Sequence, residues 1–334
     1  MAPIDDLAAE VVSALRSERF AGVVVIADGD RIVLDRAAGL ADRAEGRPIT
    51  ASTRFATASG TKGFTALAVV SLIEEELLAF DTSVVEVTGT DLPHIDPAVT
   101  VEHLLSHTSG IGDYLDEDEL DDVDDYVLDV PVQTLLGPED YVPILNRHPQ
   151  TSPPGARFVY NNSGFIVLAL LIERVAGRSY HEEVAARVFE PAGLADTAFC
   201  RSDRLPADTA LGYLTDGRTN IHHLPVIGTG DGGAYTTAPD LLRFWDAFLG
   251  GRIVGRDLVE RMTVVANRED GGRGYGLGFW LGADERTVEL EGMDAGVSLR
   301  TGADPGGGLR YVVLANNPTD TWPVASIIDR HLAS

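Results

Sequence analysis

The sequence has few basic residues and a single cysteine. Its 334 residues include 26 lysines and arginines against 52 aspartates and glutamates, which gives a formal net charge of −26. A surface so acidic argues against nucleic acid or an anionic membrane as a partner, because both would be repelled. The single cysteine, Cys200, excludes an internal disulfide and a cysteine-rich metal site, and its surroundings predict a buried apolar thiol.

Long apolar runs are also missing. No stretch approaches the ~18–20 apolar residues that a membrane-spanning helix requires. The first twenty residues carry acids where a signal peptide would be basic, and they have no continuous apolar core, so they predict an amphipathic helix. The expectation for the sequence as given is a cytoplasmic location.

The elements that are present follow a simple order along the chain. Two apolar runs surround a turn at residues 28–30, which predicts a β-hairpin. Buried helices are predicted from Thr61 to about Ala79 and from about Ser163 to Ala176, the second ending at a C-cap glycine, Gly177. Four short strand-like runs and a closing helix occupy the last hundred residues.

This order predicts an α/β (α+β) fold. Strands at both ends of the chain are most simply joined in one antiparallel sheet flanked by helices, with a mainly helical domain inserted between them. The predicted division is a sheet domain of residues 1–80 and 231–334, and a mainly helical domain of residues 81–230 that carries active-site loops.

Three further segments have polar or glycine-rich character. The acid-rich Asp113–Asp129 segment predicts a solvated excursion, since its spacing and lack of a central glycine fail the template of a calcium loop. The adjacent His222 and His223 point to opposite sides if extended, so a shared metal ion is disfavoured. The glycines at 230, 232 and 233 predict a tight loop near the site.

Lysine occurs once in the sequence, at Lys62, three residues after Ser59. Residues three apart at a helix start share a face, so the amine is expected near the serine hydroxyl. A serine needs a neighbouring base to act as a nucleophile, and a buried lysine can lose its proton whereas arginine cannot. Serine at a helix start is also a common N-cap, so the pair alone leaves a capping role open.

A second candidate group is Tyr160-Asn161-Asn162, which stands before the second buried helix. A tyrosine beside a lysine can relay a proton to a leaving group, and an asparagine can orient a substrate amide. The alternative is a tyrosine at a strand end followed by an asparagine that caps the helix.

Taken together and in order, these motifs resemble those of the serine β-lactamase-like family. The resemblance rests on Ser59-Gly60-Thr61-Lys62, on LLSHTSGI at residues 104–111, on Tyr160-Asn161-Asn162, and on GDGGAYTTAPDLLRFWDAF at residues 230–248. It covers most of the chain, and the ordered set is far more specific than Ser-x-x-Lys alone. The family includes class C β-lactamases, D-alanyl-D-alanine carboxypeptidases and related esterases, and its sheet domain and helical domain agree with the predicted elements.

The resemblance implies roles for four residues. Ser59 corresponds to the acylated nucleophile and Lys62 to its proton acceptor. Tyr160 corresponds to the tyrosine that shares the proton transfers of acylation and deacylation, and Asn162 to the asparagine that orients the substrate.

It also implies supporting roles outside that set. His107 and Ser109 correspond to residues that shape the rim of the site. The third family motif, usually Lys-Thr-Gly or His-x-Gly, aligns best with Leu290-Glu291-Gly292. Gly292 would allow the close backbone approach that this strand needs, and the Met293 amide would then join that of Ser59 in the oxyanion hole.

No cation precedes Gly292, and here the sequence departs from the family pattern. In the family's carboxypeptidases and β-lactamases the cation helps to recognise a substrate carboxylate, so Leu290 in its place weakens both of those assignments. Arg300 or Arg273 is a candidate substitute, and a register shifted by a residue or two is an alternative alignment.

The sequence therefore predicts a metal-free serine hydrolase that needs no cofactor and acts through an acyl-enzyme on a small ester or amide. The missing cation favours an esterase or a peptidase-like enzyme over a β-lactamase. The alternatives are an acyl-accepting sensor with little turnover, or a transacylase. The expected partner is a small-molecule substrate, and the oligomeric state is open.

Overall fold

The structure, a computed structural model, describes residues 4–17, 20–117, 122–269 and 272–333. Its helices are α1 (Ile4–Ser17), α2 (Thr61–Glu74), α3 (Val84–Thr88), α4 (Val101–Leu105), α5 (Val142–Leu145), α6 (Asn162–Ala176), α7 (Tyr180–Val184), α8 (Glu190–Ala192), α9 (Ala238–Leu249), α10 (Arg256–Thr263) and α11 (Thr321–Leu332). Its strands are β1 (Gly22–Asp28), β2 (Arg31–Ala38), β3 (Leu40–Asp42), β4 (Arg47–Pro48), β5 (Phe55–Ala56), β6 (Tyr235–Thr236), β7 (Asn267–Arg268), β8 (Gly274–Tyr275), β9 (Trp280–Leu281), β10 (Val288–Asp294), β11 (Val297–Ala303) and β12 (Leu309–Ala315).

The main sheet is built from both ends of the chain, as predicted. Its strand order is β2-β1-β12-β11-β10-β9-β8-β7, and every pair is antiparallel. The first hairpin turns at Gly29, whose φ of 56° is a conformation that glycine adopts without strain. The N-terminal strand β1 then pairs along its whole length with the C-terminal strand β12. The predicted fold class is confirmed.

Helices cover both faces of this sheet. On β1, Val23 and Val25 face a large core that contains α2, α6 and α9, while Val24 and Ile26 face a second core beneath α1 and α11. Side chains along a strand alternate between faces, so one strand of apolar residues serves both cores. Because β1 is buried on both faces, helices on either side hold the sheet in place behind the site described below.

Two buried helices form the centre of the larger core. In α2 the residues from Thr61 to Leu72 are all buried, in agreement with its apolar circumference. The helix ends at Glu74 rather than near Ala79, because consecutive glutamates at 74–76 meet the negative end of the helix dipole. Helix α6 ends at Gly177 as predicted, with φ of 70°. None of the described helices combines the length and apolarity needed to cross a membrane.

The middle of the chain is less helical than expected. Helices α3 to α8 lie between residues 84 and 192, and most are only one or two turns long. Residues 193–234 contain no helix and only isolated bridges. This stretch is rich in Gly and Asp, which favour turns over helix, so the prediction of a mainly helical middle holds only for its first part. The division into two domains stays a prediction.

Candidate active site

Ser59 lies in a tight turn that leads directly into α2. The turn spans Ala58–Gly60, and Ala58 has φ of 43°, a conformation that a residue with a Cβ adopts at a cost. Strand β10 runs against this turn at Gly292, where a Cβ would lie 2.7 Å from the Ser59 nitrogen and 2.5 Å from the Thr57 oxygen. The predicted close backbone approach is therefore present, and only glycine fits there.

The next residue on β10 supports part of the predicted oxyanion hole. Met293 is 43% exposed and lines a groove together with Ser59 and Gly292. This position suits a backbone amide that would donate to the carbonyl oxygen of a substrate together with the Ser59 amide. The oxyanion role of the Met293 amide itself stays a prediction.

Lys62 is buried next to Ser59. Its Nζ lies 2.8 Å from Ser59 Oγ, 2.7 Å from Asn162 Oδ1 and 2.8 Å from the backbone oxygen of Asp231. The last two atoms are acceptors only, so they take two amine hydrogens. When the amine is neutral, its lone pair is left facing the Ser59 hydroxyl. This arrangement is the one that a base for Ser59 requires.

Opposing effects act on the charge of this amine. Burial lowers the pKa of Lys62, since the charged form loses its hydration. Four carboxylates act in the opposite direction; they belong to Asp231, Glu117, Asp294 and Asp113. The net direction is downward, which increases the fraction of neutral amine at neutral pH.

Asn162 holds Lys62 in place. Its amide nitrogen donates to the Leu115 oxygen at 2.9 Å and to Glu117 Oε1 at 3.0 Å, so its oxygen must face Lys62. Every polar group of the amide is thus engaged within the protein. The side-chain oxygen of Asn162 therefore contacts Lys62. The predicted orientation of a substrate by Asn162 stays a prediction. The helix cap is the preceding residue, Asn161, whose Oδ1 accepts from the Gly164 amide.

Tyr160 completes the group around Ser59. Lys62 Nζ lies 4.9 Å from the centre of the Tyr160 ring, and the neighbouring Ser59 side chain acts on the tyrosine hydroxyl to lower its pKa. Burial, and then the charge of Glu117, raise the pKa of Tyr160 well above its ordinary value. The phenol is therefore protonated and suited to donate or relay a proton, which leaves the lysine as the base.

His107 supports the tyrosine from behind. Its ring packs 4.5 Å from that of Tyr160, and its Nδ1 accepts from the Asn161 amide at 3.0 Å. Burial lowers the pKa of His107 well below its ordinary value, so the ring is neutral. Both His107 and Ser109 are buried, so neither lies at an exposed rim of the site.

The position of Leu290 corrects one prediction. Its side chain is 2% exposed and packs against Gly63 of α2, so it faces the core and does not contact a substrate in the cleft. Side chains alternate between the two faces of β10, so Leu290 and Gly292, two residues apart, lie on the same inner face. Gly292 meets the Ser59 turn on that face, and Leu290 lies beneath it.

The two candidate replacement cations are also engaged elsewhere. Arg273 bonds to Glu289 at 3.0 Å and to Glu291 at 2.9 Å, while Arg300 bonds to both glutamates and, at 3.0 Å, to Asp329. Neither arginine lines the cavity or the groove at Ser59. The suggestion that one of them replaces the family cation is therefore wrong.

Carboxylates that the sequence analysis did not select surround the site instead. Asp231 lies in the glycine-rich loop and Asp294 lies two residues after Gly292. Both line a cavity beside Ser59, together with Glu117. Burial and the nearby Glu117 and Asp231 raise the pKa of Asp294 from 3.8 to about 7, although the charge of Lys62 opposes them. Of these acids only Asp231 lies inside a quoted motif, the glycine-rich one, and the motif does not single it out.

The glycine-rich loop delivers Asp231 to this position. A Cβ on Gly230 would lie 2.0 Å from the Phe165 oxygen of α6, and Gly233 has φ of 91°. Glycines at these positions let the loop pack directly on the helix and turn back. The predicted tight loop near the site is confirmed, and its function is to place the residue between the glycines.

The described parts of the acid-rich segment line the site, so the prediction of a solvated excursion holds for most of its acidic side chains but not for the segment's inner face. The carboxylate of Asp113 accepts from the first two amides of α6, at 2.6 and 2.8 Å. The hydroxyl of Tyr114 donates to Asp231. Residues 118–121 lie outside the described part of the chain. Side chains of the segment that line the cavity are those of Tyr114, Leu115, Glu117, Tyr126 and Leu128.

The space in the cavity beside Ser59 that the centre of a water molecule can reach has a volume of about 70 Å³. Cys200 lines it and is half-buried, so the predicted buried thiol is only partly correct. His223 lines it as well, while its neighbour His222 is exposed, in agreement with the opposed directions expected of the pair. A second space, a groove along Gly292 and Met293 with about 390 Å³ open to the centre of a water molecule, lies on the other side of Ser59.

Replacing Asp294 by asparagine is expected to stabilise the fold at the expense of the site. Because the pKa of Asp294 is raised from 3.8 to about 7, the folded state binds its proton more tightly than the unfolded state does. The stability that this proton brings is present at low pH and is lost as the pH rises through 7. Asp294→Asn should therefore raise the Tm by about 2–5 °C at pH 8 and by less at pH 5. Thermal unfolding at the two pH values measures this, and an equal or opposite effect at pH 8 would contradict the burial of an uncompensated charge.

Comparison with known proteins agrees with this site. The sequence matches the model of the Beta-lactamase family over residues 7–333. It is 30% identical to the esterase EstB of Burkholderia gladioli over 80% of this chain and 76% of that protein. It is 26% identical to the putative penicillin-binding protein PbpX of Bacillus subtilis strain 168, over 81% of this chain. The chain spans only 65% of the length of PbpX.

A solved structure extends the likeness to the whole fold. The penicillin-binding protein from Bacillus halodurans has a TM-score of 0.89 with this chain and is 36% identical to it, with 96% of this chain and 99% of that one covered. The family match covers nearly the entire chain, and it includes every residue of the Ser59, Lys62 and Tyr160 group. The chain belongs to the β-lactamase family of serine enzymes.

Proposed function

We propose that this chain is a hydrolase that forms an acyl-enzyme on Ser59 from a small ester or amide. The single observation that carries the proposal is the position of the Lys62 amine. It is buried, it lies 2.8 Å from Ser59 Oγ, and two acceptors hold its other hydrogens away from the serine. The related EstB is an esterase, which supports the same class of reaction.

The geometry supports the following sequence of steps. Lys62 takes the hydroxyl proton as Ser59 Oγ attacks the substrate carbonyl, and an Oγ–C bond forms. The bond to the leaving group then breaks, and the leaving group receives a proton from Lys62 through the Tyr160 hydroxyl. Water attacks the ester of Ser59 in the second half-reaction. Lys62 and Tyr160 take its proton and return one to Ser59, which releases the acid.

The chemistry around the cleft narrows the substrate. Arg273 and Arg300 are paired with glutamates, and within the described residues no arginine or lysine side chain lines the spaces on either side of Ser59, where His223 is the one histidine. A substrate carboxylate would therefore find no partner there. This supports esters or uncharged amides over β-lactams and peptide carboxylates.

Intact mass combined with turnover tests the proposal. The protein is incubated with p-nitrophenyl esters of acetic, butyric and isobutyric acids and with a fluorescent penicillin. A transient acyl adduct with steady release of p-nitrophenol is expected for the esters. A stable adduct without turnover would instead support an acyl-accepting sensor, and the absence of both adduct and product would refute the acyl-enzyme mechanism.

A further inference from the structure

The cavity beside Ser59 carries an unusual set of charges. Its lining includes the carboxylates of Glu117, Asp231 and Asp294, and among the described residues no arginine or lysine side chain lines it. Lys62 lies behind this lining, and burial lowers its pKa. The groove on the other side of Ser59 is lined by further acids and by no basic group of the described chain. Substrates that approach Ser59 therefore meet a negative potential on both sides.

The backbone next to Asp231 lies close to the carboxylate of Asp294. A Cβ on Gly232, the residue after Asp231, would lie 3.8 Å from Asp294 Oδ2. Asp231 also contributes to the raised pKa of Asp294, which is a sign of charges near enough to repel each other. The two side chains come from different parts of the chain, one from the glycine-rich loop and the other from the end of β10. Their approach is created by the fold.

The polar groups of this pair are not all used within the protein. In the described part of the chain, no hydrogen bond or ion pair engages the carboxylate of Asp294. Among the described residues, the side chain of Asp231 accepts from two hydroxyls, those of Tyr114 and Thr229, and forms no ion pair, although the Lys62 amine lies near it. Carboxylate oxygens at the wall of a cavity are open to water or to a donor that enters from outside.

A third polar group points to the same place. Tyr141 is fully buried and lines the cavity. Its hydroxyl lies beside Thr229 but completes no hydrogen bond of ordinary length. This hydroxyl is closed off from solvent, so it accepts from a donor in the cavity only after a small movement of the lining. An ammonium group has three hydrogens to donate. The two carboxylates and this hydroxyl together are three groups that can accept them.

We propose that the acyl part of the substrate carries a cationic amino group, which binds in the cavity between Asp231 and Asp294. This inference rests on the proposed function and names the substrate class of the same site. The tyrosine rings and leucines of the lining surround the carbon skeleton, and the carboxylates bind the ammonium.

The same carboxylates link binding to the chemistry. Asp231 and Asp294 favour the charged form of Lys62 in the empty site. A substrate cation that binds between them offsets this effect, so the fraction of neutral Lys62 increases when the correct substrate is bound. The serine is then deprotonated most readily when its substrate is in place.

An isosteric pair of esters tests the inference. The benzyl esters of alanine and of isobutyric acid differ only in the exchange of an ammonium group for a methyl group. Both enantiomers of the alanine ester are compared with the isobutyrate at pH 6.5, where the amine is charged. The expected kcat/KM is at least about 30-fold higher for the better alanine enantiomer than for isobutyrate, and acetylation of its amine should abolish the preference.

Variants locate the preference. Asp294→Asn and Asp231→Asn should each reduce the alanine-to-isobutyrate ratio about tenfold. Asp257→Asn makes the same chemical change at an exposed position on α10 and should leave the ratio unaltered. If Asp231→Asn fails to fold because its hydroxyl partners are lost, Asp294→Asn still tests whether the carboxylates of the cavity bind the amine.

The outcomes separate this inference from the proposed function. Turnover of isobutyrate at a rate equal to that of alanine, with no effect of Asp294→Asn on the ratio, would overturn the amine site and leave the hydrolase intact. Failure of every ester to acylate Ser59 would remove both proposals.

Discussion

The variant Lys62→Arg is expected to lose at least about 10³-fold in the rate of acylation, although it keeps the positive charge. The guanidinium pKa stays above about 12 in proteins, so arginine has no lone pair to offer the Ser59 hydroxyl. General bases typically contribute about 10²–10⁴-fold, and the upper part of this range applies because Lys62 is the base for both half-reactions. Stopped-flow release of p-nitrophenol measures the acylation rate, and circular dichroism with thermal unfolding checks that the fold is retained.

Two further variants separate loss of the base from loss of packing. Lys62→Met keeps most of the buried volume without any amine, and its acylation rate should be as low as that of Lys62→Arg. Lys62→Ala leaves space, and added small primary amines should restore part of its activity in proportion to their basicity. Near-normal acylation in the arginine variant would remove Lys62 from the role of base.

The variant Ser59→Ala is expected to lose about 10⁵-fold or more in kcat and to form no acyl adduct. Removal of a catalytic serine eliminates the covalent intermediate, and losses of about 10⁶-fold are known for such changes in serine hydrolases. Intact mass after incubation with p-nitrophenyl butyrate provides the readout. Ser59 is not needed to cap α2, so the variant should fold normally.

Ser202→Ala is the matched control for that experiment. Ser202 lines the same cavity but makes no contact with Lys62 in the described structure. Its replacement should leave the formation of the acyl adduct unaltered. An adduct that persists in Ser59→Ala would place the nucleophile elsewhere, and Ser202 and Cys200 would be the next residues to replace.

Local spacing explains why the nucleophile end of the site could be predicted. Ser59 and Lys62 are three residues apart at a helix start, so the helix itself brings them together. Tyr160 was identified by its place in a motif, and the motif fixes it next to α6. The sheet was equally accessible, because its hairpin and its C-terminal strands are formed by neighbours in sequence.

The acidic wall of the cavity could not be predicted in the same way. Glu117, Asp231 and Asp294 lie in three segments that only the folded chain brings together, and nothing in their local sequence distinguishes them from other acids on a strongly acidic surface. A sequence with 52 carboxylates gives no means of selecting the three that lie inside.

The predictions for Leu290 and for the two arginines were wrong because they depend on strand register. Whether Leu290 faces the cleft or the core depends on which face of β10 meets α2, and a shift of one residue would reverse it. Arg273 and Arg300 are likewise bound by Glu289 and Glu291 because these two glutamates share the opposite face of the strand. The sequence contains all of these residues, but it does not show which face of β10 each of them occupies.

The single lysine also has a spectroscopic consequence. Protein labelled with ¹⁵N only at lysine Nζ contains one labelled side chain, so its spectrum has one signal that needs no assignment. The chemical shift of that signal reports the protonation of Lys62 in the intact protein, and its titration midpoint is expected below the ordinary 10.5. A bound amine would move the midpoint further down, whereas an uncharged ligand would not. A composition with arginine at every other basic position thus makes the charge on the proposed base directly visible.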